Sequence, residues 1–120
     1  EDERLQADAA RQLFSEGDVF VPKTVLLETE WVLRAIYRKR RSEIAGYFRK
    51  LLDLRGATCE DETQVQSAVE WFSSGMDFAD ALHLAASAEA SVFVTFDESL
   101  RKAASKAGAR PPAKILGKRP

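Results

Sequence analysis

One cysteine and one histidine are present in 120 residues. Cys59 therefore has no partner for an internal disulfide, and with His83 as the lone histidine there is no zinc site of the usual paired spacing. No apolar run approaches the roughly 20 residues that a membrane-spanning helix needs. Nor does any segment combine a basic start, an apolar stretch and a small-residue cleavage site. A glycine-rich phosphate loop of the G-x-x-x-x-G-K-[ST] type is missing, as are tandem repeats and low-complexity linkers. Net charge is only −1, so nothing global draws the chain to nucleic acid. These absences lead us to expect a non-secreted, cytoplasmic protein with no membrane attachment.

What is present suits one core. The chain is 45% hydrophobic and 31% charged, with two Trp, two Tyr and seven Phe, enough for a single compact domain over 1–120 and too little for two. Helical spacing recurs in 3–16, which Gly17 stops, and the short β-rich run "DVFVP" follows. A second helix is expected from about Thr24 to Tyr37. Ser42 is expected to cap a third, striped by Ile44, Tyr47, Phe48, Leu51 and Leu52. "ATC" reads as a short strand, and "EDETQVQSAVEWFSSG" as a fourth helix ending at Gly75. A fifth helix runs from Phe78 to about Glu89. "SVFVTF" has the continuous β-branched character of a buried parallel strand, 98–107 reads as a short helix, and "AKIL" as a terminal strand. Helices alternating with short strands predict an α/β fold with a mostly parallel sheet. Its sites should lie beyond the carboxyl ends of the strands.

Several acids fall at such places. Asp97 directly follows "VFVTF", with Thr95 just inside the strand; it is either a cap for the next helix or part of a site. In "GMDFADALHLAAS", Asp77 suits a helix cap, whereas Asp80 is flanked by Phe78, Ala79, Ala81 and Leu82. Glu30 has Arg34 one turn later, the favourable order for an exposed ion pair. Glu28 has Val25, Trp31 and Val32 as helical neighbours and no cation within a turn, so periodicity leans towards Glu28 without excluding Glu30. If Glu28, Asp80 and Asp97 converge, their mutual repulsion calls for a divalent cation, and an all-carboxylate donor set suits Mg2+ or Mn2+. Such an ion activates water and stabilises charge on a phosphodiester. One local basic stretch, "RAIYRKRR", offers Arg34, Arg38, Lys39, Arg40 and Arg41, either as a solvated helix end or as an RNA-binding surface.

The motifs "VFVPKTVLLETEWVLR", "GMDFADALHLAAS" and "VFVTFDESLRKAA" together resemble the PIN-domain ribonucleases, and most closely the VapC-type toxins of toxin-antitoxin pairs. The resemblance implies a three-layer fold with a short, mostly parallel sheet flanked by helices. It also implies metal-dependent RNA cleavage with Mg2+ or Mn2+ held by Glu28, Asp80 and Asp97, which are then the catalytic acids. Asp77 is implied as a supporting acid, Thr95 as the polar residue that orients the cluster, and His83 as structural. Expected partners are RNA, a VapB-like antitoxin that offers an arginine to the acidic cleft, and a second copy of the chain. The family also opens with a central strand ending in an acid of the pattern "DTN", which this sequence lacks; Asp2 and Asp8 do not match it. The expectation is therefore an amino-terminally truncated domain without its first central strand, poorly active by itself and with strand edges open to self-association. A catalytically inactive PIN-like interaction module is the competing function.

Overall fold

The computed structural model describes residues 3–117. Six helices and four short strands alternate along it: α1 (Glu3–Ser15), β1 (Val19–Val21), α2 (Lys23–Ala35), α3 (Arg41–Asp53), β2 (Ala57–Cys59), α4 (Glu62–Ser73), α5 (Phe78–Ala86), β3 (Phe93–Thr95), α6 (Glu98–Ala107) and β4 (Ala113–Ile115). The class is mixed α/β, as the alternation predicts.

The strands form two parallel pairs rather than one sheet. β1 pairs with β2, Val19 opposite Ala57, and β3 pairs with β4, Phe93 opposite Ala113. Among the described residues β1 and β3 each keep one edge unpaired. This changes the expected burial of "SVFVTF". Its strand is three residues long, Val94 is 46% exposed and Phe96 80% exposed, because a strand with a single neighbour has nothing to cover its remaining surfaces.

The core lies among the helices. α4 packs against both α3 and α5. Val65, Ala68, Val69 and Phe72 give α4 one apolar face, as their i, i+3, i+4, i+7 spacing dictates, and all four are buried. Phe78 at the start of α5 joins the layers, stacking on Phe48 of α3 at 5.0 Å between ring centroids and meeting Phe72 edge-on at 5.4 Å. The start of α2 is tied across to α4: the Lys23 backbone N–H donates to Glu60 at 2.9 Å and its ammonium pairs with Asp61 at 2.8 Å.

Two helix ends differ from their expected form. α3 begins at Arg41, not after Ser42, because the Glu43 carboxylate accepts the Arg40 backbone N–H at 3.0 Å and so satisfies the helix start from inside. α5 stops at Ala86, three residues early. There the Ser87 hydroxyl donates to the His83 carbonyl and its N–H turns to Leu84, which tightens the last turn.

Candidate active site

α2, α5 and α6 bound a cleft of about 350 Å3, lined by Glu30, Arg34, Lys39, Arg41, Asp77, Asp80 and Ser99 above an apolar floor that includes Ile44, Phe72, Met76 and Leu100. Each acid arrives by a local cause. Asp77 is the N-cap of α5 and accepts the Asp80 N–H at 3.1 Å, which places Asp80 in the first turn. Asp97 caps α6 in the same way, accepting the Leu100 N–H at 3.2 Å. The Thr95 hydroxyl oxygen accepts the Asp97 N–H at 3.0 Å and fixes the turn out of β3. The capping roles read from the sequence for Asp77 and Asp97 are therefore both realised.

The Asp80 carboxyl in the cleft is displaced from its ordinary pKa. Partial burial pushes its pKa up, and the negative charges of Asp77 and Asp97 push the same way, with His83 opposing them weakly. Asp97 does not line the cleft itself, but its charge reaches Asp80. Asp77 and Asp97 thus both act on Asp80, while Glu30 is paired by Arg34.

The second helix places its two glutamates differently. Glu28 is exposed and outside the cleft, whereas Glu30 is only 3% exposed and lines it. The physical reason is helical phase: two positions apart on a helix are about 200° apart, so the two glutamates cannot share a face. Leu26 and Glu30, four apart, are the two buried positions of α2. The ion pair to Arg34 that the i,i+4 spacing predicts is formed, but on a buried carboxylate, with Arg34 Nε at 2.7 Å from Glu30 Oε2. The spacing to Arg34 one turn later was visible in the sequence, but it reads as an exposed pair, and the burial of Glu30 had no signal there.

The basic stretch is also redistributed. α2 ends at Ala35 and the chain leaves it irregularly, with Arg38 in the left-handed region at φ 54°. Arg41 donates to the Phe72 and Met76 carbonyls, both at 2.7 Å, and lies over the Phe72 ring. Arg40 pairs with Glu43, and Arg34 with Glu30. Of the five cations of this stretch, Arg38 and Lys39 make no side-chain hydrogen bond or ion pair with the described residues.

Residues 2–106 match the PIN-domain family. The chain belongs to the PIN-domain family. PIN domains are generally nucleases and typically use divalent metal ions. No curated protein and no solved structure matches the chain. The acids of this PIN domain offer carboxylate oxygens, the donor type that suits such an ion. As placed, however, no three acids among the described residues stand close enough together to hold a metal. Asp8 pairs with Arg11 on α1, away from the cleft, and Asp2 lies outside the described residues.

Proposed function

We propose that this PIN domain is a metal-dependent endoribonuclease, the toxin of a toxin-antitoxin pair, with Mg2+ or Mn2+ as cofactor. The observation that carries the reading is the cleft shared by Glu30, Asp77 and Asp80, with Asp97 near enough for its charge to be felt at Asp80. Glu28, Asp80 and Asp97 are assigned as the acids that hold the ion, with Glu30 as a further acid lining the cleft. When bound, the ion supplies an activated water and neutralises charge on the phosphodiester.

The chain's own residues do the rest. Asp77 orients Asp80 by holding its backbone N–H, and Thr95 orients Asp97 by accepting its N–H. Lys39, at the cleft, and Arg38 beside it are free to meet RNA phosphates. A small antitoxin would occupy the cleft and present a cation to its acids. The exposed Phe20, Val94 and Phe96 support self-association as a homodimer.

Labelled RNA incubated with Mn2+ or EDTA, using the protein expressed from its complete reading frame and its Asp97→Asn variant, tests the assignment. Cleavage is expected with Mn2+ alone and is expected to fall at least about a hundredfold in Asp97→Asn. Absence of cleavage across several RNAs, with folded protein, would move the function to an inactive interaction module.

A further inference from the structure

The chain has two tryptophans, and the fold treats them differently. Trp71 of α4 packs partly buried against the core, whereas Trp31 of α2 is 53% exposed. Helical phase explains the difference. Leu26 and Glu30 are the buried positions of α2, and Arg34 lies about 40° round the helix from Glu30, with Trp31 about 60° further in the same sense. Glu30 and Arg34 line the cleft, so Trp31 stands on its outer rim, next to Arg34 on the helix surface. Among the described residues no ring stacks on Trp31 and no cation lies over it.

A single exposed apolar side chain is ordinary; the neighbours of Trp31 are not. Beyond α2 the Lys39 N–H donates to the Leu33 carbonyl at 2.9 Å, with Arg38 left-handed at φ 54°, an arrangement in which glycine usually stands at the turning position. Arginine there is conformationally costly. The turn brings Lys39 into the cleft lining with Arg34, and neither Arg38 nor Lys39 has an ion-pair partner among the described residues. Glu30 is neutralised by Arg34 at 2.7 Å, and Glu28 is exposed on the opposite flank of Trp31, which leaves the cationic side as the one open to phosphates. A free aromatic face beside unpaired cations is the combination that holds a single strand: the cations follow the backbone and the ring takes a base.

We infer that Trp31 is a base-stacking platform at the rim of the cleft and that the ligand it selects is single-stranded RNA, with an unpaired base on the indole and the adjoining phosphates at Arg38 and Lys39. This rests on the reading of the chain as a ribonuclease, but it requires no bound metal. The ring selects the form of the RNA rather than its sequence, because every base has a π-face and a duplex keeps its bases stacked inside.

Fluorescence anisotropy of a labelled oligouridylate of about 12 nucleotides, with the full chain and in EDTA, tests the inference without any cleavage. Trp31→Ala is expected to bind the strand roughly 5- to 100-fold more weakly than wild type, and Trp31→Phe to keep most of the affinity. The salt dependence should keep its slope in Trp31→Ala, because the ring neutralises no phosphate. An abasic strand and a duplex of the same length should bind wild type and Trp31→Ala alike. Equal oligouridylate affinity of Trp31→Ala and wild type would overturn the platform while keeping the RNA reading; if the same variant also lost the dimer in light scattering, the ring would belong to self-association. An equal loss on the abasic strand would likewise overturn stacking. No binding of any strand by folded wild type would overturn the platform and the RNA reading together.

Discussion

Single residues in this cleft carry opposed duties, and their stability effects have predictable signs. The Asp80 carboxyl titrates above its ordinary value in the folded protein, first because of burial and then because of Asp77 and Asp97. The folded state therefore binds the Asp80 proton more tightly than the unfolded chain does. Its contribution to stability is fully present below the ordinary carboxylate pKa and is lost as pH rises through the raised one. Asp80→Asn should accordingly be more stable than wild type at neutral pH, with the advantage vanishing in acid; chemical denaturation across pH 3 to 7 checks this. Arg41, which the sequence offers as an RNA contact or part of a solvated helix end, holds two carbonyls and lies over a ring. Arg41→Ala should cost about 1–3 kcal/mol of stability in urea unfolding. By contrast, reversing charge at Arg38 and Lys39 should leave stability within about 0.5 kcal/mol and reduce the slope of RNA affinity against salt by about 1–2. Capping roles were legible in the sequence because Asp before an apolar run has few other uses. Which of Glu28 and Glu30 faces the cleft was not, since apolar neighbours surround both and only the direction of packing separates them.

Elements were easier to read than their surroundings. Every predicted helix and strand exists within a few residues, because each rests on local spacing and on a breaker such as Gly17, Gly56 or Gly108. The pairing of strands was not local and so was not legible: "VFVTF" has the composition of a covered strand, yet β3 has one neighbour among the described residues. The junction of α1 with β2 depends on Gly56, which adopts φ 92° and would place an added Cβ 2.1 Å from the Phe14 carbonyl oxygen. Gly56→Ala combines a strained conformation with a backbone clash and should destabilise by about 1–3 kcal/mol or more, visible as a lowered midpoint in thermal unfolding. Phe78 binds α3, α4 and α5 together, and Phe78→Ala should cost about 3–5 kcal/mol. The same substitution should weaken Mn2+ binding, because the first turn of α5 carries both Asp77 and Asp80.

At the scale of the molecule, the described body is long, about 56 × 29 × 18 Å, with α1 keeping Leu5 and Leu13 more than half exposed. A second apolar region of about 380 Å3, lined by Phe14, Phe20, Val25, Leu33 and Tyr47, lies on the side of α2 away from the acids. The acidic cleft and the apolar groove thus occupy different faces of α2: Glu30 and Arg34 face the cleft, Val25 and Leu33 the groove. Light scattering should find a species near twice the 13.4 kDa chain mass as concentration rises, and Phe20→Lys should shift it towards monomer. The family relationship was legible from three motifs, whereas these two faces required the fold. The central claim is that the acidic cleft is where RNA is cut. It is tested most directly by the Mn2+-dependent rate of RNA cleavage in Asp80→Asn relative to wild type, with both proteins folded. The account predicts a fall of at least about a hundredfold, and cleavage by Asp80→Asn at the wild-type rate would contradict it.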